Sequence, residues 1–257
     1  MKTHSHLRKS ETTNNRAGAA TGKRGVRSRA RLPLFVSLAA GAACIALAFG
    51  KEAYAPKIDP ANFQSKIDNP YFPLVPGTVF TYTETVEGET SENEVTVTHE
   101  TKTLLGVKCV VVHDTLKTKG QMKEDTYDWY AQDKQGAVWY FGEDTKEFKE
   151  GGAVDTKGSW QAGINGMPGI MMPANPKPGE PYRQEYSPNN AEDMGQVVAV
   201  DEKVTVPAGT YSGCVKTLDW SLLEAGHENK WYAKGVGVVK ATATGNEVET
   251  LISIKRP

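Results

Sequence analysis

Apolar and polar residues alternate with a period of two along most of the chain beyond residue 78, the spacing of β-strands with two different faces. The pattern is densest from Asp125 to Phe141. There Tyr127, Trp129 and Ala131 fall on one side, and Asp128, Tyr130 and Gln132 on the other. After Asp133-Lys-Gln-Gly136, the residues Ala137, Trp139 and Phe141 alternate with Val138 and Tyr140. Asp favours turn initiation, and Gly136 can take the left-handed conformation that ends a short hairpin loop. The stretch predicts an antiparallel hairpin with one face rich in Trp and Phe.

Similar runs flank it. Val79–Val86, Glu94–Leu104, Val107–Thr115, Met194–Val206, Thr210–Trp220, Glu228–Ala233, Gly235–Thr244 and Glu247–Ile254 read as strands, rich in Val and Thr and punctuated by turn residues. Tyr182–Tyr186 is a shorter one. In Asn69–Thr78, Pro70, Pro73 and Pro76 forbid a helix and suggest a segment packed along a sheet edge. The expected fold is mostly β: an antiparallel curved half-barrel or sandwich of about 10–12 strands.

Two parts of this pattern match each other. Trp129-Tyr-Ala131 and Trp231-Tyr-Ala233 each follow a cysteine-bearing strand and precede a glycine turn and another strand. The offset is 105 residues between Cys109 and Cys214, and 102 between the two triplets. This spacing suggests an internal duplication, with half-repeats at about 77–142 and 181–255 inside a single β-rich body, 56–257. Between them, in 143–180, Gly and Pro are frequent. The apolar residues there, Trp160, Ile164, Met167, Ile170, Met171 and Met172, lack a period. The segment reads as an ordered loop folded over the face bearing Trp129 and Trp139, either as the lid of a pocket or as the completion of a solid core.

Charge divides the chain. Residues 1–55 carry ten Lys and Arg against two acids, whereas 56–257 carry twenty against twenty-nine, leaving an acidic body of net charge −9. That body has two arginines, Arg183 and Arg256, and no basic cluster to neutralise phosphates, which excludes nucleic acid as a partner. Arg27, Arg29 and Arg31 precede the apolar run Leu32–Gly50, the order of an export signal. Ala53-Tyr-Ala55 offers a small-x-small cleavage site, although Pro56 after it is unfavourable; the alternative is an uncleaved anchor. The expected location is periplasmic or extracellular, with membrane attachment only through the N-terminal segment. Cys44 follows Ala42-Ala43 as in a lipoprotein signal, but Gly41 stands where Leu is usual. The other two cysteines, Cys109 and Cys214, suggest one disulfide in an exported protein; the alternative is two separate buried thiols.

Asn69-Pro-Tyr-Phe-Pro-Leu with Pro76-Gly-Thr, Asp128-Trp-Tyr-Ala-Gln-Asp, Val138-Trp-Tyr-Phe-Gly-Glu-Asp144 and Val206-Pro-Ala-Gly-Thr-Tyr together resemble a set of uncharacterised exported bacterial β-rich proteins, from about Asn69 to the C-terminus. The resemblance implies export and a single β-rich body. No activity comes with it, so it assigns no catalytic or binding residue.

Candidate chemistry is sparse. The acids near Glu124, Asp125, Asp128 and Asp133, with Glu143-Asp144 and Glu192-Asp193, form no calcium loop and read as solvated strand faces and turns. His99, His113 and His227 lack the spacing of a zinc site. His113-Asp114 is not accompanied by a Gly-x-Ser-x-Gly elbow, which argues against a hydrolase. Met167, Met171, Met172 and Met194 could hold Cu(I), but thioethers also fill apolar gaps. The expected function is an exported, non-enzymatic binding or carrier protein for an apolar or amphipathic ligand. Trp129, Trp139, Phe141, Trp160, Met167, Met171 and Met172 would hold that ligand, without cofactor or metal. The alternatives are a structural or interaction protein of the cell envelope, whose partner would be an envelope component, and a weak metal binder.

Overall fold

The structure, a computed structural model, describes residues 54–257. The basic leader, the apolar run Leu32–Gly50 and Cys44 lie outside the described residues. Short strands β1 (Phe63–Gln64), β7 (Val154–Asp155), β8 (Trp160–Gln161), β10 (Tyr182–Arg183) and β11 (Glu185–Tyr186) join the longer ones. These are β2 (Val79–Val86), β3 (Glu89–Leu104), β4 (Val107–Thr118), β5 (Gln121–Asp133), β6 (Val138–Phe148), β9 (Met167–Met172), β12 (Asp193–Val206), β13 (Gly209–Ser221), β14 (Glu228–Ala233), β15 (Gly237–Ala243) and β16 (Glu247–Lys255). Among the described residues no helix is long and apolar enough to cross a membrane.

The hairpins turn tightly, and β3 begins at Glu89 instead of Glu94 because Glu87-Gly88 alone makes the first turn. Glu87-Gly88, Leu105-Gly106 and Lys119-Gly120 are two-residue turns with positive φ at both positions, the geometry that matches the twist of paired strands. In the hairpin of β5 and β6, Gly136 has φ +100°, and the Asp133 carboxylate accepts the Ala137 N–H at 2.9 Å.

Thirteen strands succeed one another in the order β10-β12-β13-β14-β15-β16-β2-β3-β4-β5-β6-β9-β11. The first and last of this order are consecutive in the chain. Tyr182 and Arg183 pair with Gly195 and Met194 of β12, and Glu185 and Tyr186 pair with Pro168 and Met167 of β9. One five-residue segment thus bridges both sheet edges and makes the sheet a nearly closed antiparallel barrel. The expected half-barrel or sandwich is this barrel, with sixteen strands in all among the described residues.

Segment 143–180 differs from the expected loop. Strand β6 continues to Phe148, and β7, β8 and β9 all pair with it in antiparallel fashion. The segment therefore extends the sheet instead of lying over it as a lid. The backbones approach so closely that only glycine fits at two points. A Cβ on Gly142 would stand 2.2 Å from the Trp160 carbonyl oxygen, and one on Gly169 would stand 2.3 Å from that of Gln184. Ile164 projects into solvent at 76% exposure, so it takes no part in holding the segment.

The two Trp-Tyr-Ala triplets occupy matching positions. Tyr130 faces Val110, the residue after Cys109, and Tyr232 faces Val215, the residue after Cys214. This correspondence explains why the expected disulfide is absent. Cys109 and Cys214 are free and buried, on β4 and β13, which have β14, β15, β16, β2 and β3 between them in the sheet. Burial pushes the Cys109 thiol up to about 12 and also raises that of Cys214. In protein beginning at Pro56, a thiol reagent at neutral pH should modify neither cysteine in the native state and both after denaturation; oxidised thiols in the denatured sample would contradict the structure.

Gly169→Ala should open the seam between β9 and β11, raising amide exchange in 167–172 and 182–186. We expect a loss of more than about 1 kcal/mol, whereas Gly120→Ala, in open space at φ +77°, should cost only about 1 kcal/mol. Equal exchange in the two variants would contradict the tight seam.

Candidate functional site: the barrel interior

Alternation shows which residues share a face, and two tyrosines show which face is concave. Tyr130 of β5 and Tyr232 of β14 stand six places apart in the sheet, yet the Phe72 ring packs against both, at 5.4 and 6.3 Å between centroids. Residues in phase with these tyrosines therefore line the interior. Phe72 comes from the proline-rich stretch, which does not run along a sheet edge as expected but closes one end of the barrel. The Gln132 side-chain oxygen accepts the N–H groups of Asp68 and Asn69, both at 2.8 Å, and the Pro70 carbonyl accepts the Gly235 N–H at 2.7 Å. The prolines serve this floor because their missing N–H groups need no partner there.

The lining changes chemistry from this floor to the other end. Along β2 the inward residues are Phe80, Tyr82 and Glu84. On β16, which runs the opposite way, they are Glu247, Glu249 and Leu251. On β5 they are Glu124, Thr126, Asp128 and Tyr130; on β14, Glu228, Lys230 and Tyr232; on β13, Val215, Thr217 and Asp219. Because successive strands alternate in direction, each of these series sets its aromatic or aliphatic member toward the floor and its carboxylate toward the opposite end. Two-residue turns such as Glu87-Gly88 and Lys119-Gly120 border that acidic end.

The floor is an aromatic cluster. Tyr130 stacks on Tyr140 at 4.8 Å, and Trp160 meets the Tyr140 ring edge-on at 5.6 Å. The Tyr140 hydroxyl donates to Asp128 at 2.5 Å, and the Tyr82 hydroxyl donates to the Val238 carbonyl at 3.0 Å. Burial holds the phenols of Tyr82, Tyr130 and Tyr140 well above their ordinary range, and the carboxylates facing them push further in that direction. They remain neutral.

In the acidic half, Lys230 is a buried cation that forms ion pairs with Glu228 at 2.8 Å and Asp219 at 3.2 Å. Burial alone would lower its ammonium, but the two carboxylates outweigh it and hold the value well above 10.5. Glu249 stands opposite Glu84 and is 3% exposed. Burial, reinforced by Asp114, Glu228 and Glu84, raises its carboxyl well above 4.5, and its Oε2 has no hydrogen-bond partner. Among the described residues no cluster of three or more His, Cys, Asp or Glu is arranged to hold a metal ion.

The ligand-binding residues expected from sequence divide between two faces. Trp160 lies inside, 2% exposed, and Met171 and Met172 are buried on β9, with Met172 opposite Val138; Met167 is half-buried opposite Tyr186. Trp129, Trp139 and Phe141 lie on the outer face. The Lys102 ammonium sits 3.2 Å above the Trp129 ring, and Phe63 packs on Trp139 at 6.1 Å and on Phe141 at 5.6 Å. The structure therefore does not bring this set into one site. The inward tyrosines, Glu249 and Lys230 were missed, although the alternation Glu124-x-Thr-x-Asp-x-Tyr130 already placed acids and a tyrosine on one face.

Lys230→Met should cost about 3–5 kcal/mol at neutral pH in a denaturant titration, because it removes the cation between two buried carboxylates. The raised ammonium value fixes the sign. The contribution is complete below pH 10.5 and is lost as pH rises through the folded value above it. A neutral substitution, or one whose cost is unchanged at pH 12, would refute this role.

No family model matches the chain, and no curated protein does. Solved structures similar in part include the following two. One is a Bacteroides fragilis protein inferred to be exported, with a YmcC-like fold: 17% identity, 72% of this chain and 99% of that one, TM-score 0.46. The other is a Parabacteroides distasonis protein inferred to be a lipoprotein: 16% identity, 73% of this chain and 99% of that one, TM-score 0.41.

Proposed function

We propose that this protein is an exported, non-enzymatic binding or carrier protein that holds an amphipathic small molecule inside the barrel. The observation that carries the reading is the graded interior, aromatic at the plugged floor and acidic at the other end. A ligand with an apolar body and a polar head matches that gradient along its length. Export rests on the basic residues Arg27, Arg29 and Arg31 ahead of the apolar run Leu32–Gly50. The absence of enzymatic chemistry is part of the proposal, and the placement of His113 favours it. Its imidazole lies on the outer face, 2.6 Å from Asp125 and stacked on Tyr127, away from the interior acids.

Complete burial of Tyr82, Tyr130 and Tyr232 favours a second reading, an envelope interaction protein whose barrel interior is solid core. Titration with a neutral fluorescent probe such as N-phenylnaphthylamine separates the two. A carrier should bind one probe saturably. Trp160→Ala, inside the barrel, should weaken binding about tenfold or more with an unchanged far-ultraviolet spectrum, while Trp139→Ala, outside, should leave it unchanged. Absence of saturable binding, or equal effects of the two variants, would sink the carrier reading.

A further inference from the structure

Resting on that reading, we infer that the ligand's head is a primary ammonium group and that Glu249 receives it. Three observations converge. The first is the position of Glu249: inward, in the acidic half, directly opposite Glu84 and one inward position from Leu251, where the apolar lining begins. A head bound there leaves its apolar body running toward Tyr82 and the aromatic floor.

The second concerns two of the interior atoms left without hydrogen-bond partners, on the side away from Lys230; Asp219 Oδ1 and Oδ2 are others, beside that cation. Glu249 Oε2 is a buried acceptor with no hydrogen bond, and so is Oδ1 of Asn93, an inward residue 7% exposed and paired with Tyr82. Oδ1 of Asn93 can only accept, and Glu249 Oε2 accepts from a cation that draws its carboxyl into the ionised form. A buried acceptor without a donor is costly, so the group that completes this wall supplies N–H or O–H. A carboxylate or phosphate head would add acceptors to acceptors.

The third is the position of Lys230. It is committed to Glu228 and Asp219 on β14 and β13, with β15 between it and Glu249. Lys230 reaches Glu249 through its field but makes no hydrogen bond to Glu249 Oε2, which is left to another donor. A charged one is favoured, because an ammonium–carboxylate hydrogen bond is shorter and stronger than a neutral one. A quaternary ammonium carries the charge but has no N–H to give, so a primary amine fits better than its trimethylated counterpart.

Calorimetric titration of the protein beginning at Pro56, at neutral pH, tests this with four eight-carbon probes: octylamine, octyltrimethylammonium, octanol and octanoate. Octylamine should bind saturably and at least about tenfold more tightly than the other three. Glu249→Gln should erase that preference while octanol binding stays as it was. Asn93→Leu should weaken octylamine as well, which keeps the test open if the Glu249 variant fails to fold. A short-chain phosphatidylethanolamine run alongside identifies the source of the amine: binding that depends on Glu249 points to a lipid head group, and its absence to a free amine. If octanol and octanoate bind as tightly as octylamine, the ammonium assignment is wrong and the carrier reading stands. If no probe binds saturably, both fall.

Discussion

A sheet of thirteen strands has two edges, and here the same five residues, Tyr182–Tyr186, satisfy both. Unpaired edge groups would otherwise invite pairing with other chains. The bridge also turns one face of the sheet inward and sets residues that are distant in the sheet against each other. Tyr130 and Tyr232 share Phe72 only because the sheet closes. The glycines at the seam follow from the same constraint, since Gly169 lies where the backbone of Gln184 comes within a Cβ's reach.

Closure sets the electrostatics as well. The acids on β2, β5, β14 and β16 would be ordinary solvated side chains on an open sheet. Turned inward, they shift one another: Glu249 is raised by burial and by Asp114, Glu228 and Glu84, which belong to three other strands. Ionising such a carboxyl disfavours the folded state, so its contribution to stability declines as pH rises from 4.5 toward its folded value. The contribution of Lys230 also declines as pH rises, but only above 10.5, because here the fold favours the charged form, which Glu228 and Asp219 close around.

Much of the strand map was legible in the chain. Val79–Val86 and Glu228–Ala233 begin and end where the alternation places them. Segment 143–180 was not legible, because β8 and β9 are too short and too irregular to show a period. They are strands because Glu143 and Trp139 of β6 offer backbone partners to Trp160 and Ile170. The interior acids were misread for a related reason. A carboxylate at an alternate position looks the same on a solvated face as inside a barrel.

The sequence by itself determined the antiparallel β-class, the central hairpin, the matched Trp-Tyr-Ala triplets and the acidic character of the body, because these follow from local periodicity, turn chemistry and charge. Only the tertiary structure decided which face is concave. Period-two alternation groups Trp129 with Ala131 and Asp128 with Tyr130 but carries no sign for inside and outside. That sign came from the closing segment and from Phe72. It put Trp129 under Lys102 on the outside, and Tyr130 and Asp128 on the inside. It also held Cys109 and Cys214 on strands that are not neighbours, since matching positions in the two halves of a barrel need not meet.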